Sequence, residues 1–266
     1  MSVSKALTIA GSDCGGGAGI QADLKTFQER DVYGMSVITV LTAQNTLGVH
    51  GVYPQSIEAI EAQLDAIFQD IGTDSVKTGM LFSEEIINLV AKKLKDYEIK
   101  NIVIDPVMIA KGGAPLLQKQ AMTALKMNLL PLASVITPNI PEACEILGID
   151  KIETVEEMKD AAANIQQLGP KNVVLKGGHL EGSSIAVDIL FDGNEYYYFE
   201  SKRIDTIHTH GTGCTFAAAI TAELAKGNSI NEAVACAKQF IQAAIETSLN
   251  IGKGIGPTNH SALRHK

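Results

Sequence analysis

Short β-branched runs alternate with longer segments of helical period along the 266-residue chain, and this alternation leaves few folds open. Leu7-Thr8-Ile9, residues 36–41, Val76-Lys77-Thr78, Ile102-Val103-Ile104-Asp105, Val135-Ile136-Thr137 and Val173-Val174-Leu175-Lys176 read as strands. Helical segments lie between them at about 18–29, 56–70 and 83–97, the first with Ile20, Leu24 and Phe27 on one face. Two longer helices, about 212–225 and 230–248, close the chain. Near-continuous apolar strands need helices on both faces of their sheet. Residues 185–191, Asp192-Gly193-Asn194 and residues 196–199 break the alternation and read as a hairpin with an Asp-Gly turn. The expected fold is an α/β, doubly wound αβα sandwich, one domain over 1–266. Its central sheet is mostly parallel, with an antiparallel hairpin at one edge.

Charge and cysteine usage narrow the partners. Lys and Arg number 22 against 30 Asp and Glu, a net charge of −8, which argues against a surface built to grip nucleic acid or anionic membrane. The longest uncharged stretch, 32–57, contains Gln44, Asn45, His50, several glycines and Pro54, so it is no membrane-spanning helix. Cys14, Cys144, Cys214 and Cys236 form no CxxC pair, which excludes zinc clusters and a thioredoxin-type motif. The apolar run at 6–10 is too short for a signal peptide, and the expected location is the cytoplasm.

Two glycine-rich segments fall where ligands bind in such folds. The first runs from Gly11 to Gly19 after the first strand. As a P-loop it fails, because Gly17 stands where lysine is required. As a dinucleotide fingerprint from Gly15 it fails at Ile20, and the second strand ends at Gln44 instead of a carboxylate. The glycines either let backbone approach a ligand or form a flexible turn. Asp23, on the inward face of the following helix, is either favoured by the helix dipole or aimed at a ligand hydroxyl. The second segment, His210-Gly211-Thr212-Gly213-Cys214-Thr215, opens a helix of small residues. Free backbone N–H groups there suit an anion hole, and Cys214 in the first turn is expected to have a lowered thiol pKa. Asn139-Ile140-Pro141-Glu142 reads either as a capping-box helix start or as a magnesium carboxylate, Glu142, close to Asp105.

These segments, in this order, resemble the ribokinase-like superfamily, and within it the vitamin kinase branch. The resemblance rests on the residues from Leu7 to Asp13 with the glycine run, and on Gln21-Ala22-Asp23-Leu24-Lys25. It extends through Lys77-Thr78-Gly79-Met80, Asp105-Pro106-Val107-Met108, Thr137-Pro138-Asn139 with Glu142, Lys176-Gly177-Gly178-His179, 208–215 and Gly256-Pro257-Thr258-Asn259-His260. It implies magnesium-dependent phosphoryl transfer from ATP to a hydroxymethylpyrimidine and then to its monophosphate, in thiamine biosynthesis. A pyridoxal kinase on the same scaffold and a non-catalytic nucleotide-binding regulator are the rival readings. By the resemblance, Cys214 in place of the superfamily's usual aspartate is the base or positions the hydroxyl, and Gly211 and Gly213 form the anion hole. Asn139, Lys176, Thr137, Thr212 and Glu142 would bind ATP, and Asp105 and Glu142 magnesium. Gln44 would read the aminopyrimidine edge, and Asp23, Gly11, Met80 and Val107 would line its pocket. Ala110-Lys111-Gly112-Gly113 would be a lid, and the molecule a homodimer.

Overall fold

The computed structural model describes residues 3–108, 116–117, 120–180 and 184–264. The lid segment expected at Ala110 to Gly113 lies outside the described residues. The elements follow one another as β1 (Lys5–Asp13), α1 (Gly19–Glu29), β2 (Tyr33–Asn45), β3 (Gly48–Pro54), α2 (Ile57–Ala66) and β4 (Ser75–Thr78). They continue as α3 (Glu84–Asp96), β5 (Ile102–Ile104), α4 (Ala121–Ala124), β6 (Val135–Ile136), α5 (Ile140–Leu147) and α6 (Val155–Gln166). Last come β7 (Asn172–Lys176), β8 (Ile185–Phe191), β9 (Tyr196–Lys202), α7 (Thr212–Ala225) and α8 (Ile230–Glu246). One nine-stranded sheet takes them in the order β3-β2-β1-β4-β5-β6-β7-β8-β9.

Pairing is parallel from β2 through β7, as apolar strands covered on both faces require. Side chains along these strands alternate between two cores. Ile102, Ile104, Ile136, Val173 and Leu175 pack with α2, α3, α5 and α6. Val103, Val135, Val174 and Leu190 pack with α7 and α8 on the other face. Chain order reverses around β1, which pairs with β2 on one side and β4 on the other. In such sheets the crevice at the carboxyl ends of strands flanking the reversal is where ligands bind.

The β8–β9 hairpin forms as expected, with Gly193 at a φ of +96° in its turn. One expectation needs correcting: both edges of the sheet are antiparallel, because β2 also pairs with β3. In the Gly-Val-His-Gly-Val-Tyr-Pro sequence of β3 two glycines and a proline dilute the strand formers Val49, Val52 and Tyr53, and Pro54 is tolerated because the strand lies on an edge. Among the described residues no helix is long and apolar enough to cross a membrane.

Candidate active site

The glycine loop after β1 does not wait for a phosphate. Asp13 fills it: Oδ1 accepts from the Gly15 N–H at 2.8 Å, and Oδ2 from those of Gly17 and Ala18 at 3.0 and 2.9 Å. The loop amides that an anion would need are thus taken by the chain's own carboxylate. The glycines serve backbone packing. A Cβ on Gly19 would stand 2.3 Å from the Gly11 carbonyl oxygen, and one on Gly211 only 1.8 Å from that of Gly17. The two glycine segments therefore close on one another, and neither the flexible-turn reading nor the ligand-approach reading holds at Gly17. Gly11 faces Met80, whose Sδ lies 3.2 Å from where its Cβ would be. Met80 in turn packs with Val40 and Val107, so three of the expected pocket residues share one apolar patch.

Gly211, at a φ of +80°, precedes α7 and sets its start. The first N–H groups of an α-helix have no intrahelical acceptor. The Thr212 N–H is spent on the Thr209 carbonyl at 3.3 Å, and the Thr212 hydroxyl donates to the same oxygen at 2.7 Å. The Thr212 hydroxyl proton is thus engaged in a backbone turn. Gly213 contributes space, since its missing Cβ leaves room bounded by Lys176 Nζ at 3.4 Å and Asp105 Oδ1 at 3.9 Å. The helix start, a lysine and a carboxylate thus converge on one cradle.

Around that cradle lies a buried charge cluster. Asp23 Oδ2 accepts from Lys77 Nζ at 2.9 Å and from the Thr8 hydroxyl at 2.6 Å, while Asp105 stands 3.9 Å from Lys77 and 3.5 Å from Lys176. Burial raises the Asp23 carboxyl above its ordinary range, against the pull of Lys77 and Thr8. Burial works against the Lys77 charge, but Asp23, Cys214 and Asp105 outweigh it and hold the ammonium above its usual range. Lys176 is likewise raised, its burial outweighed by Asp105 and Glu142. Asp23 is thus neither a first-turn dipole partner nor an open pocket wall, since it has no accessible surface. Its Oδ1 and Asp105 Oδ2 are buried without a hydrogen-bond partner.

The helix start at Asn139 takes the capping-box form. Asn139 Oδ1 accepts the Glu142 N–H at 2.9 Å and Glu142 Oε2 accepts the Asn139 N–H at 2.8 Å, a complete capping box. Glu142 also faces the cluster: burial pushes its carboxyl up to about 7, with Lys176 opposing and Asp105 adding to the rise. Thr137 is wholly buried, 3.5 Å from the Ile104 carbonyl, so its side chain is not open to a nucleotide.

Cys214 corrects a second expectation. Its thiol is pushed up to about 12 by burial, with Asp105 and Asp23 adding to the rise and Lys77 opposing it. The helix start should lower it, but desolvation among carboxylates wins. Sequence reasoning also missed Lys77 and Thr8 as members of the cluster. Lys77 lies in a short central strand, Ser-Val-Lys-Thr, where a lysine is buried only when paired, but the sequence does not say with what.

Residues 13–259 match the phosphomethylpyrimidine kinase family. The chain belongs to that family. A hydroxymethylpyrimidine/phosphomethylpyrimidine kinase of Bacillus subtilis is 52% identical over 99% of this kinase and 97% of the relative. A pyridoxine kinase of the same organism is also 52% identical, over 99% and 98%. The crystal structure of an ADP complex of Bacillus subtilis pyridoxal kinase superposes with a TM-score of 0.92 at 50% identity, covering 100% of both chains. The fold of this kinase is therefore the ribokinase-like fold of the vitamin kinases, as the sequence motifs imply.

The residues fit a magnesium ion. Asp105 Oδ2 is a buried oxygen without a hydrogen-bond partner, and Glu142 shares its surroundings. Magnesium typically takes one or two carboxylates and completes its shell with phosphates and water. Among the described residues no group of three or more His, Cys, Asp and Glu could hold a metal by itself.

Proposed function

We propose that this kinase transfers the γ-phosphoryl group of ATP to the hydroxymethyl group of 4-amino-5-hydroxymethyl-2-methylpyrimidine, and then to the resulting monophosphate. The observation that carries the reading is the convergence of Lys176, Asp105 and the α7 start on the space left by Gly213. In phosphoryl transfer the protein contributes mainly position and charge stabilisation. The N–H groups of Gly213 and Cys214 and the Lys176 ammonium stabilise charge on the transferring group. Asp105 and Glu142 would hold magnesium, which neutralises charge on the phosphate oxygens when bound. Asn139 lies beside Lys176, to which it is bridged, and so meets the same phosphates. Cys214, whose thiol keeps its proton in the buried cluster, positions the hydroxyl for attack. Met80 and Val107 hold the apolar face of the ring, and Gln44 pairs with its polar edge.

A pyridoxal kinase activity is the second reading, favoured by the pyridoxine kinase relative at 52% identity. A substrate panel with ATP and magnesium, quantifying mono- and diphosphate products, separates the two. The expected result is a higher kcat/KM for the hydroxymethylpyrimidine than for pyridoxal, with a diphosphate product; the reverse preference overturns the assignment. The reading includes a cytoplasmic location and a homodimer. The dimer is supported by Leu41 and Tyr53, cross-strand neighbours on β2 and β3 that are 44% and 60% exposed.

A further inference from the structure

Asp13, His210 and Gln44 form a line of contacts from the glycine loop to the end of β2. Asp13 Oδ2 stands 2.9 Å from His210 Nε2, and the same nitrogen stands 2.9 Å from Nε2 of the Gln44 amide. Burial works against the Asp13 charge, but His210 and the loop amides outweigh it and hold the carboxyl below its usual range. An ionised carboxylate only accepts hydrogen bonds, so the facing His210 Nε2 must carry a proton and donate. That nitrogen cannot also accept from an amide NH2. Amide oxygen and nitrogen have nearly the same shape, and the hydrogen-bond network decides which faces which neighbour. Turning the Gln44 amide about its last torsion replaces two confronting donors by a carbonyl oxygen that shares the single Nε2–H with Asp13 in a three-centre bond. The NH2 group then takes the position 3.5 Å from Thr42 Oγ1. Thr42 already donates its hydroxyl proton to the Ser12 carbonyl at 2.9 Å, so its oxygen is able to accept.

We infer that Asp13 and His210 fix the polarity of the Gln44 amide, oxygen toward His210 and NH2 toward Thr42, and so select a ring edge with one order of donor and acceptor. The inference rests on Gln44 meeting the substrate edge. An aminopyrimidine offers an exocyclic amine beside a ring nitrogen, so its two pairing atoms come in a fixed order. An amide free to turn reads that edge in two ways and loses half of its discrimination, whereas a locked one reads it in one. His210 is a positioning residue, acting only through Gln44. Its backbone is held separately, with its N–H on the Gly256 carbonyl at 3.1 Å and its carbonyl accepting from Thr258 at 3.2 Å, so the ring can be removed without releasing the loop.

The test uses the full chain and the variants His210→Ala, His210→Gln and Gln44→Ala. KM and kcat are measured for the hydroxymethylpyrimidine at saturating ATP, with pyridoxal as alternative substrate or competitive inhibitor. His210→Ala is expected to raise KM for the hydroxymethylpyrimidine roughly tenfold, with a smaller change in kcat and a smaller loss of affinity for pyridoxal. His210→Gln, whose amide N–H can stand where Nε2–H stood, should recover most of that loss. Equal losses on both ligands, or no recovery in His210→Gln, overturns the inference. Gln44→Ala separates the two levels of the argument. If it leaves the hydroxymethylpyrimidine KM unchanged, Gln44 is not the reading residue and the inference falls with it. If it raises KM while His210→Ala does not, only the positioning role fails. Should His210→Ala not fold, the ¹H–¹⁵N spectrum of the unmodified protein decides. A proton on His210 Nε2 supports the inference, and a proton on Nδ1 alone refutes it.

Discussion

A thiol held near 12 behaves differently from one activated by a helix start, and Cys214 is where the difference can be measured. At pH 8 roughly one such thiol in 10⁴ is ionised, whereas Cys14 is exposed to reagent. Iodoacetamide followed by peptide mass mapping should therefore label Cys14 well before Cys214. Faster labelling of Cys214 would show that the cluster does not hold its proton. Cys214→Ala should lower the saturating single-turnover rate by up to roughly 10²-fold, the scale of a misplaced reacting hydroxyl. A rate within a few fold of the unmodified enzyme would leave the chemistry to Lys176 and the helix start. At this scale the sequence was legible where residue type and neighbours along the chain decide the environment, as for the Asn139–Glu142 box. It was not legible where the environment comes from distant strands. Asp23 and Lys77 meet across 54 positions, and no local pattern announces that a carboxylate in α1 will bury itself against a lysine in β4.

Elements meet at this site through backbone, and that makes two positions intolerant of change. Gly211 combines a positive φ with a neighbour, the Gly17 carbonyl, that leaves no room for a methyl group. Gly211→Ala should cost about 3 kcal/mol or more in urea unfolding and abolish turnover, since the α7 start must move. An unchanged unfolding midpoint would mean that the loops are not in contact. His260 clamps the same helix from the far end of the chain, its Nε2 3.0 Å from the Thr215 hydroxyl in the first turns of α7. Burial, with Lys25 and His210 adding to it, lowers the imidazole to about 4. The unfolded chain binds the proton more readily than the folded one between about 6.5 and 4, so this contribution to stability is present above 6.5 and lost as pH falls through 4. It amounts to about 3 kcal/mol at full extent. His260→Gln should flatten the fall in unfolding free energy between pH 6.5 and 4. An equally steep fall in the variant would place the acid sensitivity elsewhere. Among the helices, α7 is legible because a glycine-rich start, Gly211-Thr212-Gly213, opens a run of helix formers from Phe216 to Ala225 that ends before Gly227. Helix α6 is harder to read from sequence although its Thr154–Glu157 capping box stands there, because three alanines dilute its apolar stripe.

On the scale of the whole molecule, the alternating strands and helices fix the parallel centre of the sheet but not both of its edges. A fully buried strand must be apolar, so its composition gives it away. An edge strand is paired on one side only and tolerates glycine, histidine and proline among its strand formers, as β3 does. The exposed Leu41–Tyr53 pair lies on that edge, and the proposed dimer makes it an interface. Light scattering should give twice the chain mass for the unmodified protein and a shift toward monomer for Leu41→Lys with Tyr53→Lys. A monomer at all concentrations in the unmodified protein would remove the dimer from the reading. The clasp between the two glycine segments has a further consequence, in the time taken to make the protein. Asp13 and His210 are 197 residues apart. At roughly 5–20 residues per second a ribosome takes on the order of 10–40 s between adding the first and the second. Throughout that interval the β1 loop has its aspartate and its glycines but no partner to close on. A nascent chain can thus lay down most of its parallel strands while remaining unable to turn over nucleotide, and it becomes an enzyme only when its last quarter has emerged.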